Sequence, residues 1–136
     1  MRRALWASAL FNLLGAVLFA FPTSLGQLVG FPGPVARVYS ALLAFFVVLF
    51  GGAYAWLARQ PHFDRPLVWL ATVGKAGAFA VVLACWLAGE APGRSVLAIS
   101  GDLAFALVFG WWLLASRELV PPARAYHPTP GQPVSR

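Results

Sequence analysis

Four long apolar runs dominate the chain, over approximately residues 4–21, 38–58, 67–88 and 95–116. A helix needs about 20 mainly apolar residues to cross a hydrocarbon core of about 30 Å, and each run supplies that length. Each also ends on a physical stop: Pro22, Gln60-Pro61, the stretch Gly89-Glu90-Ala91-Pro92-Gly93, and Arg117-Glu118 followed by Pro121-Pro122. The pattern predicts an all-α integral membrane protein, an antiparallel four-helix bundle occupying residues 1–118. The connections are short except for Pro22 to Arg37. There, Leu25, Leu28 and Val29 predict one apolar turn on the membrane surface, bounded by Phe31-Pro32-Gly33-Pro34. Residues 119–136 are rich in proline and carry little to bury, so they read as a disordered cytoplasmic tail.

Small and polar residues recur within the runs at helical spacing. Lipid gives helices no hydrophobic reason to associate, so such stripes mark the expected packing seam. They are Ser8, Asn12, Gly15 and Phe19 in the first run, and Ser40, Ala44, Val47, Gly51, Ala55 and Ala58 in the second. The third offers Ala71, Lys75, Ala78 and Val82 with Gly74 and Gly77 beside them, and the fourth Ser95, Ala98, Asp102, Phe105 and Phe109.

Composition agrees with the pattern. Apolar residues make up 60% of the 136 and charged residues 10%, against roughly 45–50% and about 25% in a soluble domain. That balance excludes a soluble enzyme. The net charge of +6 would raise nucleic acid in a soluble protein, but the basic residues stand singly at the ends of apolar runs, a pattern for membrane orientation. With the N-terminus inside, Arg2, Arg3, Arg59, Arg65, Arg117, Arg124 and Arg136 face the cytoplasm, and only Arg37 and Arg94 face outward. Seven against two predicts both termini in the cytoplasm. Trp6, Trp56, Trp69, Trp111 and Trp112 fall near the inner boundary and Trp86 near the outer one, as an interfacial belt does. Arg2-Arg3 before an apolar stretch has the look of a secretory signal. The stretch is long for one and no small-x-small site precedes Pro22, so it reads as a retained first helix.

Little else carries chemistry. No GxSxG, HExxH or Walker pattern occurs, and Cys85 stands alone, without a partner for a disulfide or a CxxC pair. His62 and His127 lie in a loop and the tail, where they supply neither paired haem ligands nor a metal site. No catalytic residue and no resident cofactor is expected.

Lys75 and Asp102 are the ionisable groups far from a membrane surface. Each costs roughly 2.5–3.5 kcal/mol at a helix centre on insertion scales, so each needs a partner or a watery cavity. From the predicted ends, Lys75 lies about 12 Å from the inner boundary and Asp102 about 10 Å from the outer. Across the core that leaves roughly 6–8 Å between them in depth, a gap a lysine stem can cover. Side chains lean toward a helix's N-terminus, which tips the two apart in antiparallel helices. Two arrangements stay open: a direct ion pair, or an inner polar cluster of Ser8, Asn12, Tyr54, Thr72 and Lys75 with Asp102 isolated above it.

The order of features resembles the small four-span bacterial membrane proteins loosely grouped with DoxX. The likeness rests on the proline-ended first span, Arg37 and the Tyr-x-x-x-Leu stretch running to Leu43, Gly74-Lys75, the Gly89–Gly93 turn, and Asp102 early in the fourth span. Lys75 and Asp102 stand where the related proteins carry arginine and glutamate. The resemblance implies a bacterial cytoplasmic-membrane protein, often of no assigned activity, and some DoxX-type proteins belong to quinone or thiol redox complexes. Three readings follow. The first is a non-enzymatic accessory or interaction subunit, as a homo-oligomer or beside a membrane-complex partner. The second is a small transporter or proton-coupled carrier using Lys75, Asp102 and Asn12. The third is a redox subunit in which Lys75 or Tyr54 donates to a quinone oxygen.

Overall fold

The computed structural model describes residues 1–31 and 35–116, and within them each apolar run is a helix. These are α1 (Arg2–Ala20), α2 (Arg37–Arg59), α3 (Arg65–Leu87) and α4 (Gly93–Ala115). No strand occurs among the described residues. At 19 residues in α1 and 23 in each of the others, the helices are about 28 and 34 Å long, enough for the hydrocarbon core. All four are long and apolar enough to cross a membrane, and they mark a small multi-pass membrane protein. The expected tail over 119–136, the stop at Arg117-Glu118 and the Pro32-Gly33-Pro34 turn lie outside the described residues.

Local chemistry sets the ends. Asp64 caps α3 by accepting from the Leu67 N–H at 3.5 Å, and Pro66 sits in the first turn, where no intrahelical N–H is needed. The third run thus begins at Arg65, two residues earlier than its apolar pattern indicates, and α4 likewise begins at Gly93. Past Pro22 the chain winds on as a single π-helical turn, Pro22–Gly26, closed by Gly26 N–H to Phe21 carbonyl at 3.0 Å. Of the expected apolar turn, Leu25 lies in it, and Leu28, 73% exposed, follows it. Gly30 ends the turn at φ +85° and Gly89 ends α3 at φ +78°. In both, the next residue's N–H reaches back five positions, Phe31 to Gly26 and Glu90 to Cys85, completing a Schellman cap that requires the left-handed conformation.

The helices associate as two close pairs, α1 with α2 and α3 with α4, and α1 also touches α4. At Gly51 the first pair comes so near that a Cβ there would lie 3.2 Å from Asn12 Cβ and 3.3 Å from the Ala9 carbonyl oxygen. The buried core collects Leu5, Tyr54, Leu57, Val68, Phe109 and Leu113, drawn from every helix. Around it, arginines close one end of the molecule. Arg2 donates to the Gln60 carbonyl at 2.8 Å and lies over the Phe63 ring. Arg65 donates to the Leu113 carbonyl at 2.8 Å and to Ser116 Oγ, and lies over Trp112. At the other end, Ser95 Oγ donates to the Gly30 carbonyl at 2.7 Å, tying the first connection to α4.

The expected seam is followed in part. Ser8, Asn12, Ser40, Gly51, Ala58, Ala71, Lys75, Ser95, Asp102 and Phe109 are buried. Gly15, Phe19, Ala44, Val47, Ala55, Val82, Ala98 and Phe105 are half-buried, and Ala78 is exposed. Gly74 and Gly77 depart most: both are exposed, and a Cβ added to either meets nothing within 4 Å. These glycines pack no helix of this chain, because α3 turns the Ala71–Lys75 face to its neighbours.

Adjacent glycines therefore differ in tolerance. Gly51→Leu should overpack the α1–α2 contact and lower stability by about 1–3 kcal/mol, whereas Gly52→Leu, with nothing within 4 Å of its Cβ position, should leave it unchanged. Thermal unfolding of the two variants in detergent, followed by circular dichroism, checks this.

Candidate functional site

Lys75 lies mid-way along α3 and is 3% exposed. An ammonium has three protons to donate and no acceptor capacity, so its burial requires oxygens around it. Two are present. Nζ donates to Asp102 Oδ1, from α4, in a salt bridge, and to Asn12 Oδ1, from α1, at 2.9 Å. The amide of Asn12 is itself held from the far side, its Nδ2 donating to the Val47 carbonyl of α2 at 3.2 Å.

Three aromatic faces complete the enclosure. Nζ lies 5.4 Å from the ring centroid of Phe11, 5.4 Å from that of Tyr54 and 5.3 Å from that of Phe105. A cation within about 6 Å of a ring face is attracted by its quadrupole, worth about 2 kcal/mol when desolvated. Phe11 and Phe105 also pack on each other, with centroids 5.8 Å apart. The surroundings of one nitrogen thus come from every helix: Phe11 and Asn12 from α1, Tyr54 from α2, Lys75 from α3, Asp102 and Phe105 from α4.

The direct pair resolves the two arrangements left open by the sequence, and Asp102 is not isolated. On the expected antiparallel arrangement the depth gap narrows to about 1.5 Å once the observed helix starts are used. Counted from Arg65 and Gly93, Lys75 and Asp102 stand about 15 Å and about 13.5 Å along their helices, against a core of about 30 Å. The two groups are then almost level, and the lysine stem needs to bridge little depth.

Of the six residues singled out in the sequence, Lys75, Asp102, Asn12 and Tyr54 meet at this nitrogen. Thr72 does not join them by hydrogen bonding: its Oγ1 donates to the Val68 carbonyl of its own helix at 2.8 Å. Ser8 is fully buried one turn from Asn12, and its Oγ has no hydrogen-bond partner among the described residues. Three members were not among the candidate site residues. Phe105, three residues after Asp102 on the same helical face, was expected on the packing seam and not at the ammonium. Phe11 carries no such signal. Gly101 makes room for Phe11, since a Cβ there would lie 2.5 Å from Phe11 Cε2.

This last contact yields a test. Gly101→Val should push the Phe11 ring off the ammonium and lower stability by about 1–3 kcal/mol. Phe11→Leu, which removes the clashing ring, should make the double variant lose less than the sum of the two single losses. Thermal midpoints of the three proteins measure the coupling, and strict additivity would show that ring and glycine act independently.

No family model, curated protein or solved structure matches this chain, so what it does must be read from the cluster around Lys75.

Proposed function

We propose that this protein is a non-enzymatic accessory or interaction subunit of a bacterial cytoplasmic membrane, of the DoxX-like type, in which Lys75 is an internal lock. The observation that carries the reading is that the ammonium's oxygens and aromatic faces all come from its own chain. The Lys75 and Asp102 side chains are 4% and 11% exposed, which leaves a carrier's substrate or a quinone little access to either. Buried ionic groups of this kind can specify register and orientation, a role long known for polar positions in helical assemblies. Here a single lysine specifies which faces of four helices meet. The protein presents its apolar exterior to lipid and to a partner, either a second copy or another membrane subunit. The transporter and quinone readings remain as outcomes of the test.

The helices run antiparallel with both termini in the cytoplasm. The excess of arginine beside Arg2, Arg59 and Arg65 supports this orientation, and so does the gathering of Arg2, Gln60, Phe63, Arg65 and Trp112 at one end.

Lys75→Met and Asp102→Asn should each lower stability by about 3–5 kcal/mol, because each leaves one buried group without its partner. The double variant should recover most of that loss and accumulate to near wild-type levels. Were all three variants to fold like wild type while a transport or quinone-dependent phenotype changed, the lock reading would fail. For orientation, single cysteines in a Cys85→Ser background should separate by side. In intact cells an impermeant maleimide should label Glu90→Cys and leave His62→Cys unlabelled; the reverse pattern would invert the topology.

A further inference from the structure

We propose that the groove between α1 and α2 binds an anionic phospholipid, with the phosphate at Arg3 and Arg59 and one acyl chain along the groove. The cavity there measures about 630 Å³ and is lined by Trp6, Leu10 and Leu13 of α1 and by Val48, Gly52 and Ala55 of α2, among others. None of the four residues that meet at the Lys75 nitrogen lines it. The site is separate from the lock and goes beyond the subunit reading, resting only on the chain being in a membrane.

Both walls of the groove run into a cation at the same end. On α2, Val48, Gly52, Ala55 and Arg59 form one stripe at helical spacing, and on α1 Arg3 precedes Trp6 by three positions and Leu10 by seven. Arg59 closes the end by lying 5.4 Å over the Trp6 ring, and Trp6 is 43% exposed. Arg3 and Arg59 are both exposed, as is Arg2, but the guanidinium groups of Arg2 and of half-buried Arg65 donate to carbonyls of the chain. Asp64, five positions after Arg59 in the chain, accepts from the Leu67 N–H as the cap of α3. The groove is therefore amphiphilic along its length: two cations and an indole at one end, then only apolar wall.

Its length fits a lipid in one leaflet. Trp6 to Leu13 spans about 10 Å along α1, beginning at the level where tryptophan sits in an interface and staying within half of a 30 Å core. Charge chooses between occupants. A second copy seated on this face would bring its own arginines against Arg3 and Arg59, whereas an anionic headgroup complements them. Basic pockets between spanning helices recognise anionic headgroups on this principle.

Native mass spectrometry of the full chain, released from micelles holding equal amounts of chain-matched phosphatidylglycerol and phosphatidylcholine, tests the proposal. Phosphatidylglycerol should be retained in excess. Each of Arg3→Gln and Arg59→Gln should lower the ratio of the two retained lipids about fivefold, from roughly 1 kcal/mol per arginine. Arg37→Gln, at the opposite end of α2, should leave that ratio unchanged. Gly52→Leu, which places a side chain in open space, should reduce retention of both lipids with the ratio preserved. Glycerol phosphate added to the wild type should not displace the lipid, since the acyl chain supplies the apolar contact. Equal retention of the two lipids, or a ratio indifferent to both arginine substitutions, would overturn the proposal. A switch from dimer to monomer in Gly52→Leu on size-exclusion chromatography would assign the groove to a second copy and overturn it equally.

Discussion

A charged nitrogen in the middle of an apolar helix has to be answered within reach of its own side chain, and Lys75 is that nitrogen here. Neither lipid nor the helix backbone offers the acceptors it needs, since lipid tails have none and α3 already uses its interior carbonyls. The carboxylate of Asp102 and the amide oxygen of Asn12 supply them from two other helices, and Tyr54 adds a ring from the remaining one. The close pairs α1–α2 and α3–α4 are satisfied locally by contact along their lengths. Joining the pairs is a separate matter, and there the lysine reaches across from α3 to α1.

Small residues make that reach feasible by setting distances. Gly51 lets α2 approach α1 beside Asn12, so the Asn12 amide can hold the Val47 carbonyl with one end and the lysine with the other. Gly101 lets the Phe11 ring lie against α4 beside Asp102 and over the ammonium. In each case the glycine adjoins a residue of the cluster and acts through a neighbour's position. Its effect is geometric, and the energy comes from the ion pair, the amide and the rings it brings together. In lipid, where apolar contact alone does not favour one helix face over another, such placement decides which faces meet.

The helices themselves were legible because four runs of apolar residues with firm stops leave little freedom in a chain of this composition. Their starts were less so: the caps at Asp64 and Pro92 admit Arg65 and Gly93 to the helix, and a pattern built on apolar residues omits both. Two residues at each of two starts account for about 6 Å, most of the apparent depth gap between Lys75 and Asp102. The site was legible where a polar residue had no other reason to be in a span, as with Lys75, Asp102 and Asn12. Thr72 misled because a hydroxyl can satisfy itself on its own helix, here on the Val68 carbonyl. The role of Phe11 and Phe105 at the ammonium was hidden for the opposite reason, since phenylalanine is at home anywhere in a spanning helix. Gly74 and Gly77 show that small residues mark permission for close approach without naming the neighbour.

The cations of this chain fall into distinct physical roles, and their partners sort them. Lys75, buried, is paired with a carboxylate and orders the interior. Arg2 and Arg65, at the end of the core, spend their donors on carbonyls that the ends of α2 and α4 leave open, as their geometry suits them to do. Those two clasps fasten the same end at which the core residues Leu5, Leu57, Val68 and Leu113 are densest. Arg3 and Arg59 are exposed, Arg59 lying over the Trp6 indole that lines an apolar groove. A lysine would serve poorly as a clasp, having no planar fork. The residue chosen at each level follows from how far from water it has to work.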